Sequence, residues 1–152
     1  MKNQISQQPQ PPPNTPIKSL TILALVSLFL LLFLSWPKTE IGINGRKFQV
    51  EIVRTEKERE KGLSGRERIC ENCGMLFVFP EKGKQVFWMK GMKFNLDIVW
   101  ISEEKITYIA KNVSRDLKET IRPEVLSDKV LELNAGTADD LDIEIGDGIV
   151  IK

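Results

Sequence analysis

From residue 41 onward, short apolar runs alternate with turn-forming clusters, the pattern of a mainly β domain. Ile41-Gly42-Ile43 and Phe48-Gln49-Val50-Glu51-Ile52 flank Asn44-Gly45. That pair predicts a tight hairpin, because both central residues of a type I′ turn need positive φ. Phe48, Val50 and Ile52 then share one face and point to the core. Thr55-Glu56-Lys57-Glu58 spells a capping box, so a short polar helix is expected there, ending at Gly62. Gly74 to Phe79 is almost continuously apolar and is followed by Pro80, which predicts a strand buried on both faces and stopped by the proline. Lys84 to Lys90, carrying Phe87-Trp88-Met89, is expected to return as the next strand. Leu96 to Ile101 is another buried-type strand, and Glu103-Glu104 turns it into Lys105 to Val113. Residues 114–128 are charged, lack a period and contain Pro123, and so form a surface loop. Lys129 to Leu133 is a strand, Thr137 to Leu141 a capped helical turn, and Gly146-Asp147-Gly148 the turn before a last strand, Ile149 to Ile151. Seven or eight short strands with two brief helices predict a small β-sandwich or a partly closed barrel over residues 41–152.

The N-terminal part has a different character. Residues 1–16 are rich in Gln and Pro, with three consecutive prolines at 11–13, and have too little to bury to offset the entropy of ordering. They are expected to be a disordered tail. From Leu20 to Leu34 only Thr21 and Ser27 interrupt an apolar run, and Trp36 stands where an interfacial aromatic would. With Ile17 the stretch reaches the length of a thin membrane span, so residues 17–36 are read as a transmembrane anchor and 37–40 as a linker. A cleaved secretory signal has a similar apolar region, but the exit Leu34-Ser35-Trp36-Pro37 offers no Ala-x-Ala-like site. Lys2 and Lys18 precede the run while Lys38, Arg46 and Lys47 follow it, so charge alone does not orient it. A short tail is simpler to leave in the cytoplasm than a large domain. The expected location is therefore the cell membrane, single-pass, with residues 38–152 outside the cytoplasm.

Charge narrows the field further. The chain has 22 basic and 21 acidic residues, a net +1; Lys2 and Lys18 supply +2 of it, which leaves residues 38–152 at −1. No nucleic-acid footprint is present. The absence of histidine removes His-based catalysis and every zinc site that needs imidazole. Neither a metal nor a cofactor is expected.

Six ordered motifs carry a family resemblance: Gly62-Leu63-Ser64-Gly65-Arg66, Gly74-Met75-Leu76-Phe77-Val78-Phe79, Phe87-Trp88-Met89-Lys90, Leu96-Asp97-Ile98, Val130-Leu131-Glu132-Leu133-Asn134-Ala135-Gly136 and Gly146-Asp147. Over about residues 41–152 the chain resembles the family called domain of unknown function 192, DUF192. The resemblance implies a compact, mainly β domain, commonly exported or membrane-anchored. It implies no established activity, and no catalytic residues carry over. The chain departs from the family pattern at Met92 and Asn95, where a Thr and a Pro usually stand. It also lacks the proline- and tyrosine-bearing loop expected around residues 114–126.

Candidate chemistry lies in the charges inside these motifs. Asp97, between Leu96 and Ile98, is a carboxylate in a strand expected to be buried, and it needs partners; Arg66 and Lys90 are the expected ones. Asp97, Glu132, Arg66 and Lys90 could converge in a cleft as a polar ligand site or an acid–base pair, or could form a structural ion-pair network. Trp88, with Phe87 and Met89, is either the floor of a pocket or ordinary core. Cys70 and Cys73, the only cysteines, are expected to form a structural disulfide outside the cytoplasm. Redox chemistry is the less favoured reading, because the pair precedes a strand rather than a helix and Glu71 opposes a thiolate. Two functions stay open: a non-catalytic binding or accessory module, which is preferred, and an enzyme with an acid–base site around Asp97, Glu132 and Lys90.

Overall fold

The computed structural model describes residues 38–152. The tail at 1–16 and the anchor at 17–36 lie outside the described residues. Seven strands and two short helices follow in the order β1 (Lys38–Ile43), β2 (Arg46–Val53), α1 (Glu56–Lys61), β3 (Cys73–Gly83), β4 (Leu96–Ser102), β5 (Lys105–Val113), β6 (Ser127–Asn134), α2 (Thr137–Asp140) and β7 (Ile149–Ile151). Among the described residues no helix is long and apolar enough to cross a membrane.

All seven strands belong to one sheet, in the order β5-β4-β6-β3-β2-β1-β7. β2 and β3 run parallel, with α1 in the crossover between them, and the other neighbours are antiparallel. The two ends of the sheet meet at one corner, where Lys105 bridges Gly148. There the Ile106 amide donates to the Asp147 carbonyl at 2.9 Å and the Ile149 amide to the Glu104 carbonyl at 2.8 Å. The result is a half-barrel, the partly closed alternative of the two the sequence allows, and not two stacked sheets.

Both faces of this sheet are apolar, so both must be covered. Ile41, Phe48, Val50, Leu76, Val99, Ile101, Leu131 and Leu133 fill the concave side together with Ala138 and Ile149. Met75, Phe77, Leu96, Ile98, Trp100 and Val130 form a second cluster on the convex side, joined by Leu63, Phe87 and Met89 from connecting segments. Alternation along β3, β4 and β6 sends successive side chains to opposite clusters.

Local signals are realised where the chain needs no distant partner. Asn44 and Gly45 take φ of 46° and 80°, as the hairpin requires. The Thr55 side chain accepts from the Glu58 amide, and the Glu58 carboxylate accepts from the Thr55 amide at 2.9 Å. Three expectations are corrected. Pro80 does not end β3, which continues to Gly83; the ladder to β6 breaks its register between Val78 and Gly83, so the missing proline N–H falls where pairing is already interrupted. Residues 84–90 do not add a strand to the sheet. They make a single bridge, Phe87 to Ile121, and lie on the convex face, because that face needs a lid more than the sheet needs an eighth strand. Finally, α2 has no cap from its own N-terminal residue Gly136.

Candidate functional site

The cap of α2 comes from Asp97. Its two carboxylate oxygens accept from the Asn112 amide and from the Ala138 amide, each at 2.7 Å. The residue is wholly buried on the concave side, the side of Val99 and Ile101. Neither Arg66 nor Lys90 pairs with it. Arg66 forms a two-pronged bridge to Glu51, at 2.6 Å and 2.7 Å, which holds its guanidinium pKa above the usual value. Lys90 is exposed, and its carbonyl accepts from the Ser64 hydroxyl at 2.8 Å. The expected convergence of Asp97, Glu132, Arg66 and Lys90 does not occur. Asp97 faces the concave core while Glu132, one cross-strand step away opposite Ile98, faces the convex side.

Glu132 has the environment that the sequence led us to expect of Asp97. It stands on β6 between Met75 of β3 and Ile98 of β4, both apolar, and is only 5% exposed. Its Oε2 is buried without a hydrogen-bond partner. Burial in this apolar setting pushes its pKa up to about 8, so the carboxyl is mostly protonated at neutral pH. β3 and β6 approach closely here: a Cβ on Gly74 would lie 2.6 Å from the Glu132 carbonyl oxygen, which requires glycine at that position.

Above Glu132 opens a cleft of about 370 Å³. Phe77, Phe79, Phe87, Trp88, Leu63 and Met92 supply its apolar wall, and α1 supplies a rim through Glu56, Arg59, Glu60 and Lys61. The wall is braced from behind. Phe77 meets Phe87 edge-on at 4.9 Å, Phe87 meets Trp100 at 5.6 Å, and Trp100 meets Tyr108 at 5.5 Å. The Trp100 indole N–H donates to the Gln85 carbonyl at 2.9 Å, pinning residues 84–90 to the sheet. The Gly65 amide donates to the Gly91 carbonyl at 2.9 Å, which ties the loop after α1 to the same segment. The Arg59 guanidinium is committed to the wall: it donates to the Arg54 and Val78 carbonyls and lies 5.0 Å over the Phe79 ring. Trp88, in contrast, is 44% exposed, and Met89, the next residue, is core.

Of the candidate residues, Trp88 and Glu132 come together; Asp97, Arg66 and Lys90 do not line the cleft. Leu63, Phe79, Arg59 and Met92 are additions that only the folded chain discloses. Cys70 and Cys73 are joined as a disulfide, in a turn whose Cys70 carbonyl accepts from the Asn134 side-chain amide at 2.9 Å. Among the described residues no cluster of carboxylates or cysteines suits a metal ion.

Residues 39–151 match the family DUF192, described as Uncharacterized ACR. The chain belongs to the DUF192 family. Two solved structures share the fold of this DUF192 domain. One is a candidate transcription regulator from Sinorhizobium meliloti 1021, 31% identical, with TM-score 0.72 over 77% of this chain and 95% of that one. The other is a protein of unknown function from Novosphingobium aromaticivorans DSM 12444, 30% identical, with TM-score 0.68 over 75% of this chain and 83% of that one. No curated protein matches.

Proposed function

We propose that the DUF192 domain is a non-catalytic binding module, tethered to the membrane by residues 17–36 and displayed outside the cytoplasm, whose ligand enters the cleft above Glu132. The observation that carries the reading is a buried carboxyl whose Oε2 lacks a hydrogen-bond partner, in a braced cleft that sets four aromatic rings against a polar rim. Small-molecule sites combine mostly apolar walls with one or two polar groups that fix orientation, and span about 300–1,000 Å³. The acid–base alternative loses its pair, because Asp97 spends both oxygens on backbone amides across the sheet from Glu132. The redox alternative has no support from the position of Cys70 and Cys73, neither of which lines the cleft. Nucleic-acid binding, which the description of the Sinorhizobium structure would suggest, is opposed by the charge of −1 over residues 38–152. Anchoring rests on the apolar run, broken only by Thr21 and Ser27, and on an exit without an Ala-x-Ala-like site, and export on the size of the domain that follows.

The test is a fragment screen by amide NMR on the full chain in detergent micelles, with small alcohols, amides, amines and carboxylic acids. Shifts centred on Leu63, Phe77, Phe87, Trp88 and Glu132 are expected. Ligand-induced shifts that fall consistently elsewhere, or none at millimolar concentration, would remove the cleft from consideration.

A further inference from the structure

A buried carboxyl group has two ways to meet a ligand. Protonated, it donates to an acceptor such as a carbonyl; ionised, it pairs with a cation. The surroundings of Glu132 favour the second. Buried charges in proteins are paired, and of the two cations lining the cleft, Arg59 is held by two backbone carbonyls and the Phe79 ring while Lys61 lies exposed on the α1 rim. In the empty cleft the carboxyl therefore stays mostly protonated, and the counter-ion its ionised form needs is left for a ligand to bring. The faces of Phe77, Phe87 and Trp88 are negative at their centres and suit a cation or the methylenes beside it. A cleft of about 370 Å³ is of the size that takes a small molecule.

We propose that the cleft binds a small aliphatic primary amine, its stem between Phe87 and Trp88 and its ammonium head paired with the Glu132 carboxylate. This deepens the binding-module reading and rests on it. Binding is a proton exchange: the protonated Glu132 releases one proton to solvent as the ammonium arrives, and the pair that remains is net neutral. The other ionisable groups lining the cleft are Glu56, Arg59, Glu60 and Lys61 of α1; β3, β4 and residues 84–95 contribute none. Because Glu132 titrates near 8 when empty and an alkylamine near 10, affinity rises about tenfold per pH unit from 6 to 7 and levels above about 8.

Calorimetric titration of the full chain in micelles, with empty micelles as the blank, tests this using n-butylamine, 1-butanol and butyrate from pH 6 to 9. Butylamine is expected to bind at least about tenfold tighter than 1-butanol at pH 8, with close to one proton released at pH 7. Glu132→Gln, which keeps the shape, should lower butylamine affinity by about tenfold or more and leave 1-butanol nearly unchanged. Trp88→Ala should weaken butylamine while Glu132 still titrates in its binding curve. If 1-butanol or butyrate binds as tightly as butylamine, or if butylamine affinity falls as pH rises, the amine assignment is wrong while the cleft remains a binding site. Butylamine binding that survives Glu132→Gln undiminished also overturns it, as does silence toward butylamine at pH 8.5.

Discussion

Glu132→Gln should make the protein more stable, and by an amount that depends on pH. An unfolded glutamate titrates near 4.3, whereas Glu132 in the folded chain is raised to about 8. Between those values the folded state holds a proton that the unfolded state has lost, so stability falls as pH rises across that window. Below pH 4 both states are protonated and the penalty vanishes; above about 8 both are ionised and it is complete. One pKa unit corresponds to about 1.4 kcal/mol, so the penalty is on the order of 3–4 kcal/mol at pH 7 and about 5 kcal/mol above pH 8. Glutamine has nearly the same shape and no charge to desolvate, though its amide still lacks a partner, at a cost of about 1–3 kcal/mol. The net expectation at pH 8 is a gain of about 2–4 kcal/mol, shrinking to zero or reversing near pH 4.5. Urea unfolding of residues 38–152, wild type against Glu132→Gln, at half-unit pH steps from 4.5 to 9, measures the difference directly. The diagnostic is the slope: wild type should lose stability relative to the variant continuously from about pH 5 to 8. A difference that is flat with pH, or a variant less stable at pH 8, would mean that Glu132 is solvated or paired, and the argument for a ligand-supplied partner would fall with it.

Asp97→Asn replaces an acceptor-only group facing two amides with one that has a single acceptor, so it should cost about 2–4 kcal/mol and lower the midpoint by roughly 10 °C; an unchanged or higher midpoint would remove Asp97 from its structural role. Replacing both Cys70 and Cys73 with serine should cost modestly, on the order of 1–2 kcal/mol, because so short a loop constrains little unfolded-chain entropy. Complete alkylation of the native, unreduced protein would rule the bridge out in the mature chain. The anchor is checked by N-terminal sequencing of the membrane fraction, where a mature chain beginning near Lys38 would sink it.

Features that depend on a few neighbouring residues were legible without the fold. Asn44-Gly45 selects its turn by the φ values those two residues tolerate. Thr55 and Glu58 cap α1 within one helical turn, and the apolar runs of β3, β4 and β6 announce burial on both faces. Family membership was legible for the same reason, since its motifs are contiguous. What periodicity cannot state is which face of a strand meets which cluster. Asp97 and Glu132 look alike in the sequence, each a carboxylate flanked by aliphatic residues in a strand. The sheet register sets them on opposite sides, and Asp97 happens to meet the free amides of Asn112 and Ala138, residues distant in the chain. Glu132 pairs across the sheet with Met75 and Ile98 and lines the cleft beside the aromatic wall, so one carboxylate became structure and the other the floor of a cleft. The same limit explains residues 84–90. Their alternating pattern fits a strand, but whether such a segment joins the sheet or lies across it depends on how much apolar surface the assembled sheet leaves bare, and that quantity does not exist until β3, β4 and β6 have paired.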